Sequence, residues 1–321
     1  MTRPALINWS QIESCASRFN LDYSHFIRQT PLWKLPGSAL GVNCRQVWLK
    51  LEHLQTGGSF KARGMLNRLF SNPIPASGVI VASGGNAGIA TAAAAQALGV
   101  MCEVYVPEVT GAAKRARLVE LGARVQVTGQ TYADALQASL SRQQATGALM
   151  THAYDQPEVL VGAGTLALEI EQQGGVPDSV LVSVGGGGLI GGLASWFGPR
   201  NPHVRIVALE PEQAPSLFKA RAAGQPVDVT VGGIAADSLG AKRIGELGWA
   251  ATQAHVRDVL LLTDESIRSA QRWLWTELRL AVEPAAALPL AALHSGRYVP
   301  RADENVCLII CGANVDAASL T

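Results

Sequence analysis

The chain has 321 residues, 48% apolar and 16% charged, with a formal net charge of +1. That length suits two domains with sizeable cores, and the composition excludes extensive disorder. With no run of five like charges, nothing points to nucleic acid or an anionic membrane surface, so small molecules are the expected partners.

The five cysteines (Cys15, Cys44, Cys102, Cys307 and Cys311) are scattered and form no C-x-x-C pair. This argues against a disulfide framework or a zinc site and fits a reducing cytoplasm. Met1 to Trp9 has no apolar core of signal-peptide length. The stretch Ala87 to Cys102 is interrupted by Gln96 and Gly99 and is too short to span a bilayer.

In chain order, Ile7–Arg18 and Ser24–Arg28 read as short helices, closed by Thr30-Pro31 because the residue before proline avoids the helical region. Val47 to Glu52 reads as a strand. After it come Gly57-Gly58-Ser59-Phe60-Lys61-Ala62-Arg63-Gly64 and a helix, which puts Lys61 in a first helical turn. Strands Val79–Ala82, Glu103–Val106, Arg124–Val127 and Leu149–His152 then alternate with helices Asn86–Leu98, Ala112–Leu121 and Thr131–Gln144. Gly99 and Gly122 act as helix stops. Such alternation predicts a covered parallel sheet. A second alternating set follows: helix Glu158–Gln173, strand Ser179–Val184, helix Leu189–Trp196 and strand Val204–Leu209. Residues 212–255 have no clear pattern. Thr263 caps a helix to about Arg279, Glu283-Pro284 opens another, and Val306–Ile310 is a last strand. The fold class is α/β, with two doubly wound domains and mainly parallel sheets. Residues 77–153 are expected to form a small domain inserted into a larger one made of residues 1–76 and 154–321.

Four places carry chemistry. A lysine is a poor first-turn residue because the helix dipole already places positive charge there. Lys61 is therefore either an ordinary solvated lysine or a neutral amine suited to Schiff-base formation. The turn Ser83-Gly84-Gly85-Asn86-Ala87-Gly88 is either a tight capped turn or an anion corner at a helix N-terminus. Four glycines at Gly185-Gly186-Gly187-Gly188 cost backbone entropy without packing gain, and a phosphate at the following helix is their natural occupant. Gly186-x-Gly188-x-x-Gly191 with Glu210 further on also fits a dinucleotide fingerprint, which leaves a nucleotide-binding oxidoreductase as an alternative. Cys311 ends the last strand, on the edge where ligands collect in open parallel sheets, and is otherwise an inert buried thiol. Pyridoxal 5′-phosphate needs all four: an amine, a phosphate cradle, a donor to its phenolic oxygen and a partner for its ring nitrogen.

The sequence resembles the fold type II pyridoxal-phosphate enzymes, in particular the serine/threonine dehydratases and serine racemases. The resemblance runs from Thr30-Pro31-Leu32 to Cys311-Gly312-Ala313-Asn314, with Ser59-Phe60-Lys61-Ala62-Arg63-Gly64 its most specific motif. It implies Lys61 as Schiff-base lysine and catalytic base, with Phe60 against the ring. It implies Asn86 on the phenolic oxygen, Gly185 to Leu189 around the phosphate and Cys311 facing the ring nitrogen. The substrate carboxylate would lie against Ser83, Gly84, Asn86 and Ala87. His152, Tyr154-Asp155, Gly162-Ala163-Gly164-Thr165 and Glu283-Pro284-Ala285 match further family blocks.

There are departures. Ser238, Ala163, Ala286 and Ala313 replace common glycine, glutamine, glycine and glycine. Gly84 stands where serine racemases carry a serine base on the opposite face, which argues against racemisation. Ser216 stands where those enzymes have a carboxylate toward a divalent cation. What remains there is a monovalent cation near Glu210 and Ala214, or a solvated strand-end carboxylate. A cysteine facing the ring nitrogen is a weak, largely neutral partner, which suits β-elimination. The resemblance implies a homodimeric ammonia-lyase that turns an L-threonine- or L-serine-type amino acid into a 2-keto acid and ammonia. An amino-acid racemase, or a dehydratase of a bulkier 3-hydroxy amino acid, is the alternative within the family.

Overall fold

The computed structural model describes residues 6–320; the stretch from Met1 to Ala5, read above for a targeting signal, lies outside them. The chain opens with α1 (Trp9–Asp22), whose start is fixed by a reciprocal pair between the Asn8 and Gln11 side chains and backbone. The segment read as a second short helix, Ser24–Arg28, forms turns instead, with the Phe26 and Ile27 N–H groups both donating to the Tyr23 carbonyl. Next come β1 (Leu32–Pro36), β2 (Gln46–Lys50) and α2 (Lys61–Phe70).

The alternating stretch then unfolds as read. Its elements are β3 (Val79–Ala82), α3 (Asn86–Ala97), β4 (Cys102–Val106), α4 (Ala112–Glu120), β5 (Arg124–Val127), α5 (Tyr132–Thr146) and β6 (Leu149–Thr151). They make a four-stranded parallel sheet in the order β5-β4-β3-β6. Gly99 and Gly122 follow the helices with φ of 67° and 77°, the left-handed conformation that ends a helix cheaply only at glycine.

The second set is α6 (Pro157–Gly174), β7 (Ser179–Ser183), α7 (Gly188–Arg200) and β8 (Arg205–Pro211). The region without a sequence pattern contains α8 (Ser216–Ala223), α9 (Ala236–Leu239) and α10 (Glu246–His255). The chain finishes with β9 (Asp258–Leu262), α11 (Asp264–Leu278), α12 (Pro284–His294) and β10 (Asn305–Ile309). These strands join β1 and β2 in a six-stranded sheet, β1-β2-β10-β7-β8-β9, in which only the β1–β2 pair is antiparallel. Ser179–Ser183 of β7 is buried throughout, as a central strand covered on both faces must be.

Helix α2 is held from behind by charge. Arg63 pairs with Glu52 at 2.7 Å and with Glu169 at 2.8 Å, and Lys50 pairs with Glu169 at 2.6 Å. Arg63, Lys50 and Glu52 are at most 1% exposed. Two cations meet two carboxylates, and Thr30, Thr165 and Gln173 take further hydrogen bonds, so the cluster is internally neutral. Among the described residues no helix is long and apolar enough to cross a membrane.

Candidate active site

The ends of β3, β7 and β10 and the starts of α2, α3 and α7 converge on a single cavity. It is lined by Phe60, Lys61, Asn86, Gly185, Gly186, Gly187, Gly188, Leu189 and Cys311. Every residue expected around the cofactor therefore lies on it. The segment carrying Lys61 is zipped to the end of β10. Phe60 N–H donates to the Cys311 carbonyl (3.1 Å), Ala313 N–H donates to the Gly58 carbonyl (2.8 Å), and Ser59 bridges Gly312.

Lys61 begins α2, as its place after the glycine loop suggested. Its Nζ donates to the Ala153 carbonyl at 2.7 Å and lies 5.0 Å from the Phe60 ring centroid. Burial lowers its pKa to about 8, against the opposing pull of Cys311 and Glu283. The amine is thus poised between charged and neutral close to ordinary pH. Cys311 is 3% exposed, and burial, reinforced by the nearby Glu283 carboxylate, pushes its thiol well above the usual range. It stands at the end of the strand as a neutral thiol.

The glycine loop joins β7 to α7. Gly187 has φ of 87°, which a side chain would strain. A methyl on Gly186 would fall 2.2 Å from the Tyr154 ring. Gly187 occupies the N-cap position of α7 and has no side chain to cap it. Among the described residues no acceptor takes the N–H groups of Gly187, Gly188 and Leu189. Helix N–H groups left open in this way form an anion cradle. The loop is braced by Gly245 N–H on the Gly186 carbonyl and by Asp155, which caps α10 through the Glu246 and Leu247 N–H groups at 3.0 Å. His152 sets the preceding turn, its Nδ1 accepting from Asp155 N–H at 2.9 Å and its ring standing edge-on to Tyr154.

Of the residues expected around a carboxylate, Asn86 lines the cavity. Ser83, Gly84 and Ala87 do not: they form the turn behind it, where Ser83 Oγ accepts from Gly85 N–H and Ala87 is 4% exposed. Glu210 is not a solvated strand end. It is fully buried, and its carboxylate accepts from Leu217 N–H (2.7 Å), Phe218 N–H (2.8 Å) and the Ser216 hydroxyl (3.0 Å) at the start of α8. Burial raises its pKa to about 7. Ala214, paired with Glu210 in the cation expectation, is buried at 1% exposure beside the same turn. Among the described residues no group of three His, Cys, Asp or Glu side chains could hold a metal. A dinucleotide does not fit the glycine run, because Glu210, the carboxylate needed for a ribose, is turned into the protein and occupied.

Sequence reasoning gave no role to Tyr154, Ser183, Ile190, Ser238, Leu239, Glu283 or Ala285, which complete the lining. Glu283 is 4% exposed and accepts from Asn86 Nδ2 at 3.0 and 2.9 Å, on its two oxygens. Its signals in the sequence were the acid-proline helix start and the Glu283-Pro284-Ala285 family block, neither of which assigned it a role. A wider cleft outside the cavity shares Asn86, Ser238 and Glu283 with it. There Lys114 of α4 pairs with Asp237 of α9.

The chain is similar to several known proteins. An L-threonine ammonia-lyase of Geobacter sulfurreducens is 37% identical over 279 residues, covering 86% of this chain and 69% of that protein. A catabolic L-threonine dehydratase of Staphylococcus aureus is 33% identical, covering 91% and 85%. The solved structure of maize serine racemase superposes with a TM-score of 0.90 at 27% identity, covering 98% and 96%. The family model described as pyridoxal-phosphate dependent enzyme matches residues 23–312. With nine-tenths of its length inside that match, the chain belongs to the pyridoxal-phosphate-dependent enzymes of fold type II.

Proposed function

We propose that the protein is an ammonia-lyase that converts an L-threonine- or L-serine-type β-hydroxy amino acid into a 2-keto acid and ammonia. The observation that carries this is the buried amine of Lys61 in the cavity, with no side chain at Gly84 to oppose it. The named activities of the Geobacter and Staphylococcus relatives support the same reading.

The residues fit the cofactor. A glycine loop that admits no Cβ at Gly186, open N–H groups at the start of α7, an enclosed amine and a neutral thiol would suit its phosphate, aldehyde and ring nitrogen. When bound, pyridoxal 5′-phosphate supplies an aldehyde for amine linkage and a conjugated ring that withdraws electrons from the substrate Cα. The N–H groups of Gly187, Gly188 and Leu189 would hold the phosphate, and Asn86 would donate to the phenolic oxygen. Of the turn from Ser83 to Ala87, Gly85 and Asn86 face the cleft beside the cavity, and that end of the turn would orient the substrate carboxylate. Lys61 Nζ, neutral above about pH 8, would take the proton from Cα and keep it in the cavity. Loss of hydroxide from Cβ and later addition of water leave no net water, so the products are keto acid and ammonia. We also propose that residues 77–153 form an inserted unit; every strand of the four-stranded sheet falls between β2 and β7 in sequence.

Keto-acid production from L-threonine and L-serine tests the reading, with borohydride labelling to locate the cofactor. Wild type should form keto acid and carry the label on Lys61, and Lys61→Ala should do neither. Conversion of L-serine to D-serine without keto acid would refute the lyase assignment.

A further inference from the structure

Glu283 sits at the N-cap of α12 yet makes no capping hydrogen bond, and among the described residues no cation pairs with it. Its carboxylate turns instead into the site. It packs so closely on the chain after Cys311 that a methyl at Gly312 would fall 2.4 Å from its Oε1. There it receives Asn86 Nδ2 on both oxygens.

The other end of the Asn86 amide is also fixed. Its Oδ1 accepts from Asn314 Nδ2 at 2.7 Å, and that nitrogen spends its second hydrogen on the Gly57 carbonyl at 2.8 Å. A flipped Asn86 would set its oxygen against the Glu283 carboxylate and its NH2 against the Asn314 NH2. Both contacts are repulsive, so only one orientation survives. Nδ2 carries two hydrogens. They diverge by about 120°, whereas the two oxygens of one carboxylate at 3.0 and 2.9 Å subtend a much narrower angle, so one hydrogen serves both and the other is the donor left for a ligand atom in the cavity.

We propose that Glu283 is a positioning residue. While ionised, it locks the Asn86 amide so that an N–H and not a carbonyl faces the cofactor's phenolic oxygen, and its protonation is felt at that oxygen through one hydrogen-bonded nitrogen. The inference rests on the cofactor assignment and not on the identity of the substrate. The groups that bear on Glu283 are Lys61 from α2, Cys311 after β10, Asp237 from α9 and Lys114 from α4. Burial outweighs the Asn86 bond and both lysines and lifts its pKa to about 7. It therefore changes charge within the working pH range.

The test uses the holoenzymes of wild type, Glu283→Gln and Glu283→Ala without substrate. Visible absorption is followed across the neutral pH range, and cofactor binding to each apoenzyme is measured. The wild-type band should shift with a midpoint near neutrality. In Glu283→Gln, whose amide oxygen still accepts from Asn86, that transition should vanish while cofactor affinity stays within about threefold. Glu283→Ala removes one of the two groups that fix the Asn86 amide and should weaken cofactor binding about tenfold. A Glu283→Gln band that titrates like wild type overturns the proposal, as does unchanged affinity in Glu283→Ala. If the alanine variant does not fold, the glutamine titration decides alone. Failure to form keto acid from threonine would sink the lyase assignment and leave these spectra unaffected, so the two are separable.

Discussion

Replacing Gly162 by alanine should damage the site from behind. Gly162 lies where α6 crosses α2, and an added Cβ would stand 2.3 Å from the Arg63 carbonyl oxygen, 2.7 Å from its carbon and 2.8 Å from Gly64 Cα. All three are backbone atoms, so no rotamer change relieves the clash. Ordinary contact begins at 3.4 Å, so the two helices must separate by about 1 Å, an overpacking that costs about 1–3 kcal/mol. The helix that moves carries Lys61 in its first turn, one turn before the contact. A reacting group displaced by about 1 Å loses on the order of a hundredfold in rate. Urea denaturation of the apoprotein and keto-acid production by the holoenzyme give the two readouts. Gly111→Ala is the control, since φ there is −57° and its Cβ meets nothing within 4 Å; it should stay within about 0.5 kcal/mol of wild type. Wild-type stability and rate in Gly162→Ala would show that α2 is not held where its backbone contacts place it.

Arg63→Met should destabilise the protein by about 3–5 kcal/mol, because Glu52 and Glu169 lose the guanidinium that neutralises them in the core; a loss under about 1 kcal/mol by urea denaturation would contradict this. The apoenzyme should take up the cofactor faster as pH rises and level off above about 8, since the depressed Lys61 pKa leaves the amine neutral only above that value; an uptake rate independent of pH across this range would exclude Lys61 as the titrating amine. Gly84→Ser alone should yield no D-serine by chiral chromatography, because its Cβ would press on Thr110 Cγ2 at 2.8 Å and Val106 Cγ1 at 3.2 Å; racemisation by the single variant would show that the turn yields more readily than its packing allows.

The alternating fold was legible because its punctuation is local. Gly99 and Gly122 end helices in a conformation that the sequence names directly, and Thr131 and Asp134 form a reciprocal cap readable from their spacing. Strand β1 was not legible. It lies between Pro31 and Pro36, pairs only with β2, and is antiparallel at the sheet edge, where proline is tolerated. Helix α10 was hidden for another reason. It buries Gly248, Ala251 and Thr252 against α7, and small residues leave no apolar stripe to detect. The glycine corner and Lys61 announced themselves through residue types that cost something locally. Glu283 did not, since its meaning depends on Asn86, 197 positions away, and only the fold joins them.

The same site geometry bears on the choice between elimination and racemisation. Lys61 approaches with helix α2, fixed by buried ion pairs, while the Gly84 side is backbone packed on Thr110 and Val106. On the proposed reading, a proton would leave Cα toward Lys61, and Gly84 offers no side chain from which one could return. Cys311 adds to this asymmetry. A carboxylate facing a ring nitrogen would hold it protonated and let negative charge rest in the ring, whereas a thiol raised far above its usual pKa by burial and by Glu283 stays neutral and holds no such proton. On the same reading, a neutral thiol at the ring nitrogen would favour prompt departure of the hydroxyl at Cβ. The base on one side and the weak partner at the ring nitrogen therefore favour the same outcome for independent reasons. Adding a base at Gly84 would remove only the first of them.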